Sequence, residues 1–362
     1  MRRILDPGGI RHTMPKIHQK TEPMSRKPRP RAGSGVTLQQ IGEAVGVSAI
    51  TVSRALRNPE QVSEELRDKI LAAVDRLGYV PNRQARSLAS ARSHTILVLI
   101  PSLTNTVFID TLAGIEEVLR AQGYQMLIGN THYSSAEEQQ LMRSWLAYQP
   151  DGILITGLAQ PPELAQQLEK LGIPTVYMMD LTDDGRACVG LSQQDAGTAI
   201  TEHLLSRGRR RIAYMAAQLD ERVMKRLEGY RAALRQAGVH DPALEYLDPE
   251  PSSMQMGADM LERIMGEQPD CDAIFCCNDD LAIGAIAQCQ RLGIAVPQQL
   301  AIAGFNDLQP AAWITPALTT VATPRYQIGM EAARLLVDAI AGKPSQTTRL
   351  DLGFQVRVRA ST

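Results

Sequence analysis

The sequence predicts a protein of several domains, a small all-α head followed by an α/β body built on parallel sheets. Three observations lead there. The chain has 362 residues, 44% of them hydrophobic, which is too long for one small domain and enough to bury a sizeable core. Residues 36–80 carry closely spaced helix caps and glycine stops around short apolar repeats. From Thr95 onward, near-continuous apolar runs alternate with amphipathic segments, as parallel strands covered on both faces by helices do.

The formal net charge of −1 conceals an asymmetry. Residues 1–94 hold 17 Lys and Arg against 8 Asp and Glu, a balance of +9; the other 268 hold 21 against 31, a balance of −10. A basic head on an acidic body points to a polyanion, nucleic acid above all, met by the head alone. A basic tail on a soluble enzyme would share this composition, since residues 1–35 alone carry +7, so patterning has to decide. Those 35 residues lack apolar periodicity and are expected to form a disordered basic extension, with Met14 and Met24 as alternative starts. The longest apolar run, TILVLIP at 95–101, is far short of the ~20 residues a membrane span needs. No secretory pattern opens the chain, and five cysteines, four of them within 271–289, do not suggest a disulfide framework. A reduced, cytoplasmic setting without a membrane partner is the expectation.

In the head, Thr37 caps a first helix, with Gln40 completing a capping box and Val36 stapling onto Ile41. Gly46 ends it. Ser48 caps a second helix, flanked by Val47 and Val52 in staple positions, and Ser63 opens a third that Gly78 stops. Leu38, Ile41, Val45, Val47, Val52 and Leu56 can form one small core across the first turn, the geometry of a helix-turn-helix unit. Spacing alone would suit any three-helix miniature. The text is more specific: GVS…TVSRAL, VSEELR, LGYVPN and ARSL follow one another within residues 46–89. In this the segment strongly resembles the DNA-binding headpiece of the lactose/galactose-repressor (LacI/GalR) family, in that family's order and spacing.

The resemblance implies that the second helix enters the major groove of double-stranded operator DNA, with Ala49 and Ile50 at the family's base-reading positions. Both are apolar here, able to touch thymine methyls but not to read a donor and acceptor pattern. Arg54 is the residue able to fork onto guanine. Ser48, Thr51, Ser53, Asn58, Ser63 and Tyr79 are expected as phosphate and positioning contacts, although capping or solvation would equally explain Ser53 and Ser63; Thr37 serves first as a cap. Beyond Pro81, the segment NRQARSLAS sets Ala85, Leu88 and Ala89 on one face among Arg83, Arg86 and Arg92. It is too short to be a stable helix alone. In the family this hinge orders on DNA, and the position matching Leu88 wedges into the minor groove, with Asn82, Arg83 and Ala85 as accompanying contacts.

In the body, the strands read TILVLIP, YQMLIGN, DGILITG, PTVYMMD, RIAYMAA, AIFCCN and LAIAGFN, with helices near 108–122, 135–148, 193–207, 222–237 and 279–292 between them. Seven parallel strands could form one sheet or two. The family resemblance, covering nearly the whole chain from Val36, implies two doubly wound halves of periplasmic-binding-protein type. The domain plan is then a headpiece at 36–80, a hinge at 81–94 and a body at 95–362. Within the body, a first half spans about 95–191 plus 321–341 and a second about 194–320 plus the closing strand.

Ligands of open parallel sheets bind beyond the carboxyl ends of the strands. There the sequence sets Asn105 and Phe108 after the first strand and Thr156 and Asp180 at the ends of the third and fourth. Asp220, Glu221 and Arg222 follow RIAYMAA, Asn278 and Asp279 end AIFCCN, and Asn306 and Asp307 end LAIAGFN. Amides and carboxylates can hold vicinal hydroxyls and an arginine a carboxylate, an inventory suited to a polyol or sugar acid. Strand-end Asp and Asn also cap helices, which best explains Asp279 and Asp307. Asn105, Phe108, Thr156, Asp180, Arg222, Asn278 and Asn306 are the expected effector contacts. Many family members carry Asp where this chain has Asn306. The stretches RNPEQVS, PSLTNTVF, LDER, CNDDLAIGA, CQRLG, AIAGF and LDLGF look most like the gluconate-repressor branch.

Other constellations fail. The cysteines are too irregularly spaced for zinc and read as buried thiols; there is no HxxxH pair, no G-x-S-x-G and no Walker loop. No metal, cofactor or catalytic residue is expected. An import receptor would need a secretory signal and no headpiece. The expected function is therefore a homodimeric transcriptional regulator, a repressor by family default, binding near-palindromic operator DNA and released by a small effector such as gluconate. The alternative is the same fold serving another carbohydrate or purine pathway.

Overall fold

A computed structural model describes residues 36–80, 92–160, 162–343 and 347–362. The chain divides into two compact units, one ending at Asn82 and the other beginning at Arg83. The first contains helices α1 (Leu38–Val45), α2 (Ala49–Arg57) and α3 (Glu64–Leu77), with a 3-10 turn at Pro59–Gln61. The capping box at Thr37 forms: Gln40 N donates to Thr37 Oγ1 at 3.3 Å and Thr37 N to Gln40 Oε1 at 2.8 Å. Gly46 ends α1 in the left-handed region, at φ 80°, which costs glycine no steric penalty. Ile41, Val52, Ala55, Ile70 and Ala73 are buried in one small core, and Val36, Leu66, Val74 and Tyr79 pack onto it. Tyr79 is thus largely a packing residue.

The second unit holds two six-stranded sheets. The first contains β1 (Thr95–Ile100), β2 (Gln125–Asn130), β3 (Gly152–Thr156), β4 (Thr175–Met178) and β5 (Cys188–Gly190), with α4 (Val107–Ala121), α5 (Ser135–Leu146) and α6 (Pro162–Leu171) between them. After α7 (Gln193–Ser206), the second sheet begins with β6 (Ile212–Ala217). It continues through α8 (Glu221–Gln236), β7 (Glu245–Asp248), α9 (Met254–Glu267), β8 (Ala273–Cys276), α10 (Asp279–Leu292), β9 (Ala301–Asn306) and β10 (Thr319–Ala322). The chain then returns: α11 (Arg325–Ile340) packs on α4, β3 and β4 of the first half. Of the two closing strands, β11 (Arg349–Asp351) joins the first sheet beside β5, whereas β12 (Gln355–Arg357) runs antiparallel to β10 in the second.

The sheet orders are β11-β5-β4-β3-β1-β2 and β12-β10-β9-β8-β6-β7, parallel throughout except for β12. All seven apolar runs read from the sequence are strands. The short strands β5, β7, β10 and β11 and the helices α6 and α9 are additions, and β12 is the expected closing strand of the second half. Because β10 pairs with β9, the returning segment of the first half starts at α11 and takes in β11. Residues 93 and 94, expected in the hinge, are tied to the body: Ser93 N and Oγ donate to Asp151 Oδ1 at 2.7 and 2.9 Å, and His94 N to Oδ2 at 3.1 Å. All five cysteines are free and buried. Among the described residues no helix is long and apolar enough to cross a membrane.

Three helix pairs cross at reciprocal glycines: Gly114 with Gly329, Gly197 with Gly229, and Gly257 with Gly284. At the α7–α8 crossing, which carries the candidate site, a Cβ on Gly229 would sit 2.0 Å from Gln194 O and 2.6 Å from Thr198 N. These are backbone atoms that cannot swing away. Gly229→Ala should therefore destabilise the body by about 3 kcal/mol through overpacking, read as a lower urea midpoint with an unchanged slope.

Asp279 has no exposed surface. It accepts hydrogen bonds from Leu308 N at 2.7 Å and Thr320 Oγ1 at 2.6 Å, tying the start of α10 to β10 and the loop after β9. Burial pushes its carboxyl up to about 7 despite those donors. Since this lies above the unfolded value, the folded state binds the extra proton. The stability involved is complete below about pH 4 and lost as pH rises through about 7. Asp279→Asn should therefore flatten the fall in stability between pH 4 and 7, measured by denaturant titration at several pH values; an unaltered profile would mean that this carboxyl stays ionised.

Candidate functional site

Two surfaces collect the residues singled out from the sequence. The first lies on α2. Ile50 is 71% exposed, and with Ala49, Ser53, Arg54, Arg57 and Asn58 it borders a surface hollow of about 450 Å³. Ser48 caps the helix by accepting from Thr51 N at 3.1 Å, and its hydroxyl lies 2.9 Å from Thr51 Oγ1. These two hydroxyls thus already hold one another. Ser63 occupies the N-cap position of α3 but makes no side-chain cap bond, leaving its exposed hydroxyl available to a phosphate. Arg54 and Arg57 form no ion pair among the described residues, and both are exposed. An apolar tip between uncompensated guanidinium groups suits a helix that lies in a groove between two phosphate backbones. Arg57 was absent from the sequence reading, although its i, i+3 spacing from Arg54 places it on the same face. Asn82, Arg83, Ala85 and Leu88 lie outside the described residues.

The second surface lies where the carboxyl ends of the two sheets face one another. Arg226, on α8, is its centre, only 6% exposed. Its Nε donates to Gln193 Oε1 at 2.8 Å, and its Nη1 to Cys277 O at 2.7 Å and Asn278 Oδ1 at 3.3 Å. The guanidinium stacks 3.8 Å from the centroid of the Phe305 ring, a cation–π contact that burial strengthens. Burial lowers its pKa, yet an arginine stays charged. One turn earlier, Arg222 is 8% exposed. It donates from Nη2 to Asp220 Oδ2 at 2.5 Å and lies 5.6 Å from the Phe108 ring centroid. Burial acts to raise the Asp220 carboxyl, and the Arg222 guanidinium overrides it, holding the pKa below the usual range.

The rim comes from the strand ends. Asn306 Nδ2 donates to Asn278 Oδ1 at 3.0 Å. Asn306 also adopts φ 108°, a region costly for any residue but glycine. Its carbonyl accepts from Arg325, whose Nη2 also pairs with Asp110 at 2.8 Å. Asn105 accepts from Val107 N at 3.1 Å and donates to the Tyr133 hydroxyl at 3.3 Å. Asn105, Phe108, Arg222, Arg226, Asn278 and Asn306 thus line one inner recess of about 20 Å³, next to an open cavity of about 530 Å³ that Asn105, Asp110, Asp280 and Arg325 border. Two arginines, the Asp220 carboxylate and three asparagine amides at such a place can hold an anion that also bears hydroxyls.

The structure brings together five of the seven expected effector residues: Asn105, Phe108, Arg222, Asn278 and Asn306. Thr156 lines an adjoining cavity that also includes Arg222. Asp180 lines none of these cavities. It is 2% exposed, its Oδ2 accepts from Lys225 Nζ at 2.5 Å and its Oδ1 from Leu181 N at 2.9 Å. This ion pair joins the end of β4 in the first half to α8 in the second. Arg226, Asp220 and Tyr133 were not singled out as contacts from the sequence. Arg226 had a signal: Arg222 and Arg226 stand four apart on one helix, hence on one face.

Comparison with known proteins agrees with the helix-turn-helix head and the two-sheet body. Residues 37–82 match the family described as bacterial regulatory proteins, lacI family, and residues 93–355 match periplasmic binding proteins and sugar binding domain of LacI family. The chain is 50% identical over 327 residues to the HTH-type transcriptional regulator GntR of Pseudomonas aeruginosa, covering 90% of this chain and 95% of that one. A crystal structure of transcription regulator GntR from Chromobacterium violaceum is 65% identical, with a TM-score of 0.73 over 74% of this chain and 98% of that one. A LacI-family regulator from Silicibacter pomeroyi aligns at TM-score 0.84 and 34% identity over 90% of this chain and 99% of that one. The helix-turn-helix head, the two-sheet body and these matches establish that the chain belongs to the LacI family of bacterial transcriptional regulators.

Proposed function

We propose that this protein is a cytoplasmic, homodimeric repressor of sugar-acid catabolic genes, released from a near-palindromic operator by gluconate or a closely related acid. The observation that carries the effector class is the pair of buried arginines, Arg222 and Arg226, with Asp220 as the one carboxylate among the described residues hydrogen-bonded to either. A buried cation without a counter-ion is costly, and a ligand carboxylate would supply the missing charge. Asn105, Asn278 and Asn306 then take hydroxyls, and Phe108 covers an apolar face. The likeness to the gluconate-repressor branch supports the same class. Catalysis plays no part in this reading.

Effector binding would act through the closure of the two halves. The Asp180–Lys225 ion pair and the Arg325–Asn306 bond cross between them, so a ligand preferring one closure shifts the population toward it. On the DNA side, Arg54 reads a guanine, Ile50 and Ala49 meet thymine methyls, and Leu88 wedges into the minor groove. Arg54→Ala and Leu88→Ala should each weaken operator binding by about 1–3 kcal/mol. Affinity for random duplex should change much less, and the wild-type salt dependence should be steep. Fluorescence anisotropy on both duplexes measures this, and equal losses on both would remove the base-reading and wedge roles.

For the effector, calorimetry should show gluconate binding the wild type more tightly than neutral glucose. Arg222→Gln should cost at least about 2 kcal/mol of gluconate affinity, the range for truncating a buried charged hydrogen-bond partner, with thermal unfolding used to verify the fold. Glucose binding as well as gluconate would overturn the sugar-acid class while leaving the regulator intact.

A further inference from the structure

Next to the inner recess lies a separate cavity of about 90 Å³, walled by Glu138, Thr156 and Gln160 from the first half and by Asp220, Glu221 and Arg222 from the second. Three of these residues carry a buried polar atom with no hydrogen-bond partner: Glu138 Oε1, Thr156 Oγ1 and Gln160 Oε1. Buried polar atoms are nearly always paired, and each unmade bond leaves desolvation uncompensated. Three in one small chamber, on α5 and on the end of β3 and the loop beyond it, point to a partner that is not part of the chain. All three atoms can accept, and one belongs to a carboxyl. They suit hydroxyl donors and disfavour an anion.

Arg222 is a wall of both chambers. The inner recess, about 20 Å³, has room for little more than one water-sized group, which takes ~10–15 Å³. A six-carbon acid with its carboxylate on Arg222 must therefore extend elsewhere. The Glu138–Thr156–Gln160 chamber, walled from both halves, offers buried acceptors that have no partner in the chain.

We propose that the Glu138–Thr156–Gln160 chamber is the subsite for the hydroxyl-bearing tail of the effector, and that Glu138 sets specificity by rejecting acids with a second carboxylate at the far end. This rests on the sugar-acid reading above. The desolvated Glu138 carboxyl, which burial raises to about 7 against a small opposing effect of the Gln160 amide, is what an uncompensated acceptor in such a chamber should show. Rejection by like charge is a recognised route to specificity.

The test uses the full chain, calorimetry at about pH 8.5, where a carboxyl titrating at about 7 is ionised, and two probes, D-gluconate and its C6 dicarboxylate counterpart D-glucarate. Wild type should bind gluconate at least about tenfold more tightly than glucarate, the expected order for a carboxylate facing an acidic site. Glu138→Gln, which keeps the shape, should close that gap mainly by gaining affinity for glucarate, an effect that loss of packing cannot produce. Thr156→Val should weaken gluconate several-fold and leave the ratio between the two acids unchanged, with unfolding midpoints checking both variants. An unchanged ratio in Glu138→Gln, or unchanged gluconate affinity in Thr156→Val, would overturn the subsite. If wild type binds no gluconate, the sugar-acid reading itself fails, and the subsite with it.

Discussion

The buried guanidinium of Arg226 is the constraint around which the cleft is organised. It joins α7 through Gln193, the end of β8 through the Cys277 carbonyl, the cap of α10 through Asn278, and β9 through the face of Phe305. Each partner is itself positioned by something else. Gln193 Nε2 donates to Met179 O at 2.7 Å, and Asn278 accepts from Asn306. Because the cation is desolvated, its partners cannot drift away without leaving it unpaired, a penalty far larger than a surface ion pair is worth. The close α7–α8 crossing at Gly197 and Gly229 serves this geometry. A side chain at either glycine would push α8 outward and carry Arg222 and Arg226 with it.

That rigidity is concentrated in the second half, whereas the contacts between halves are fewer and of a different kind. Asp180–Lys225 joins a buried carboxylate to a lysine whose side chain remains 32% exposed, and Arg325 of the first half donates to the Asn306 carbonyl of the second. Opening the two halves breaks such polar contacts without disrupting an apolar core, although the Asp180 carboxylate then needs a new partner, water or ligand. A ligand that bridges Arg222 to the first half competes with those contacts. The asymmetry between a fixed arginine centre and a weakly held opposite wall is what a device that responds to binding requires.

Much of this was legible in the sequence, and the omissions have physical causes. Long apolar runs such as TILVLIP and RIAYMAA have a single reading once helices alternate with them, and the caps at Thr37 and Ser48 sit where the punctuation put them. Three-residue strands such as Cys188–Gly190 and Arg349–Asp351 carry no periodicity to detect; tertiary pairing alone makes them strands. Asp180 looked like a ligand contact because a strand-end carboxylate in an α/β fold often is one. Nothing local revealed that Lys225, 45 residues away, would take it. Glu138 was invisible for the opposite reason. It lies in the first turn of a helix among other polar residues, where a solvated face is the common outcome, and its burial depends on the loop after β3.

The head imposes a complementary limit. In the proposed DNA complex, with Ala49 and Ile50 at the tip of α2, direct reading of base edges would rest on Arg54, and apolar contacts to methyl groups discriminate weakly. Most of the binding energy then has to come from phosphate contacts, which are insensitive to sequence. In the proposed dimer, selectivity depends on two heads meeting two half-sites at one spacing, together with the deformation that a hinge wedge demands. Such a protein is well suited to control by geometry. A change of closure that alters the spacing of the heads costs little phosphate attraction to any single head but removes the simultaneous engagement on which selectivity rests. A chain whose base-reading residues are apolar therefore depends more heavily on its effector cleft than one that reads each half-site by hydrogen bonds.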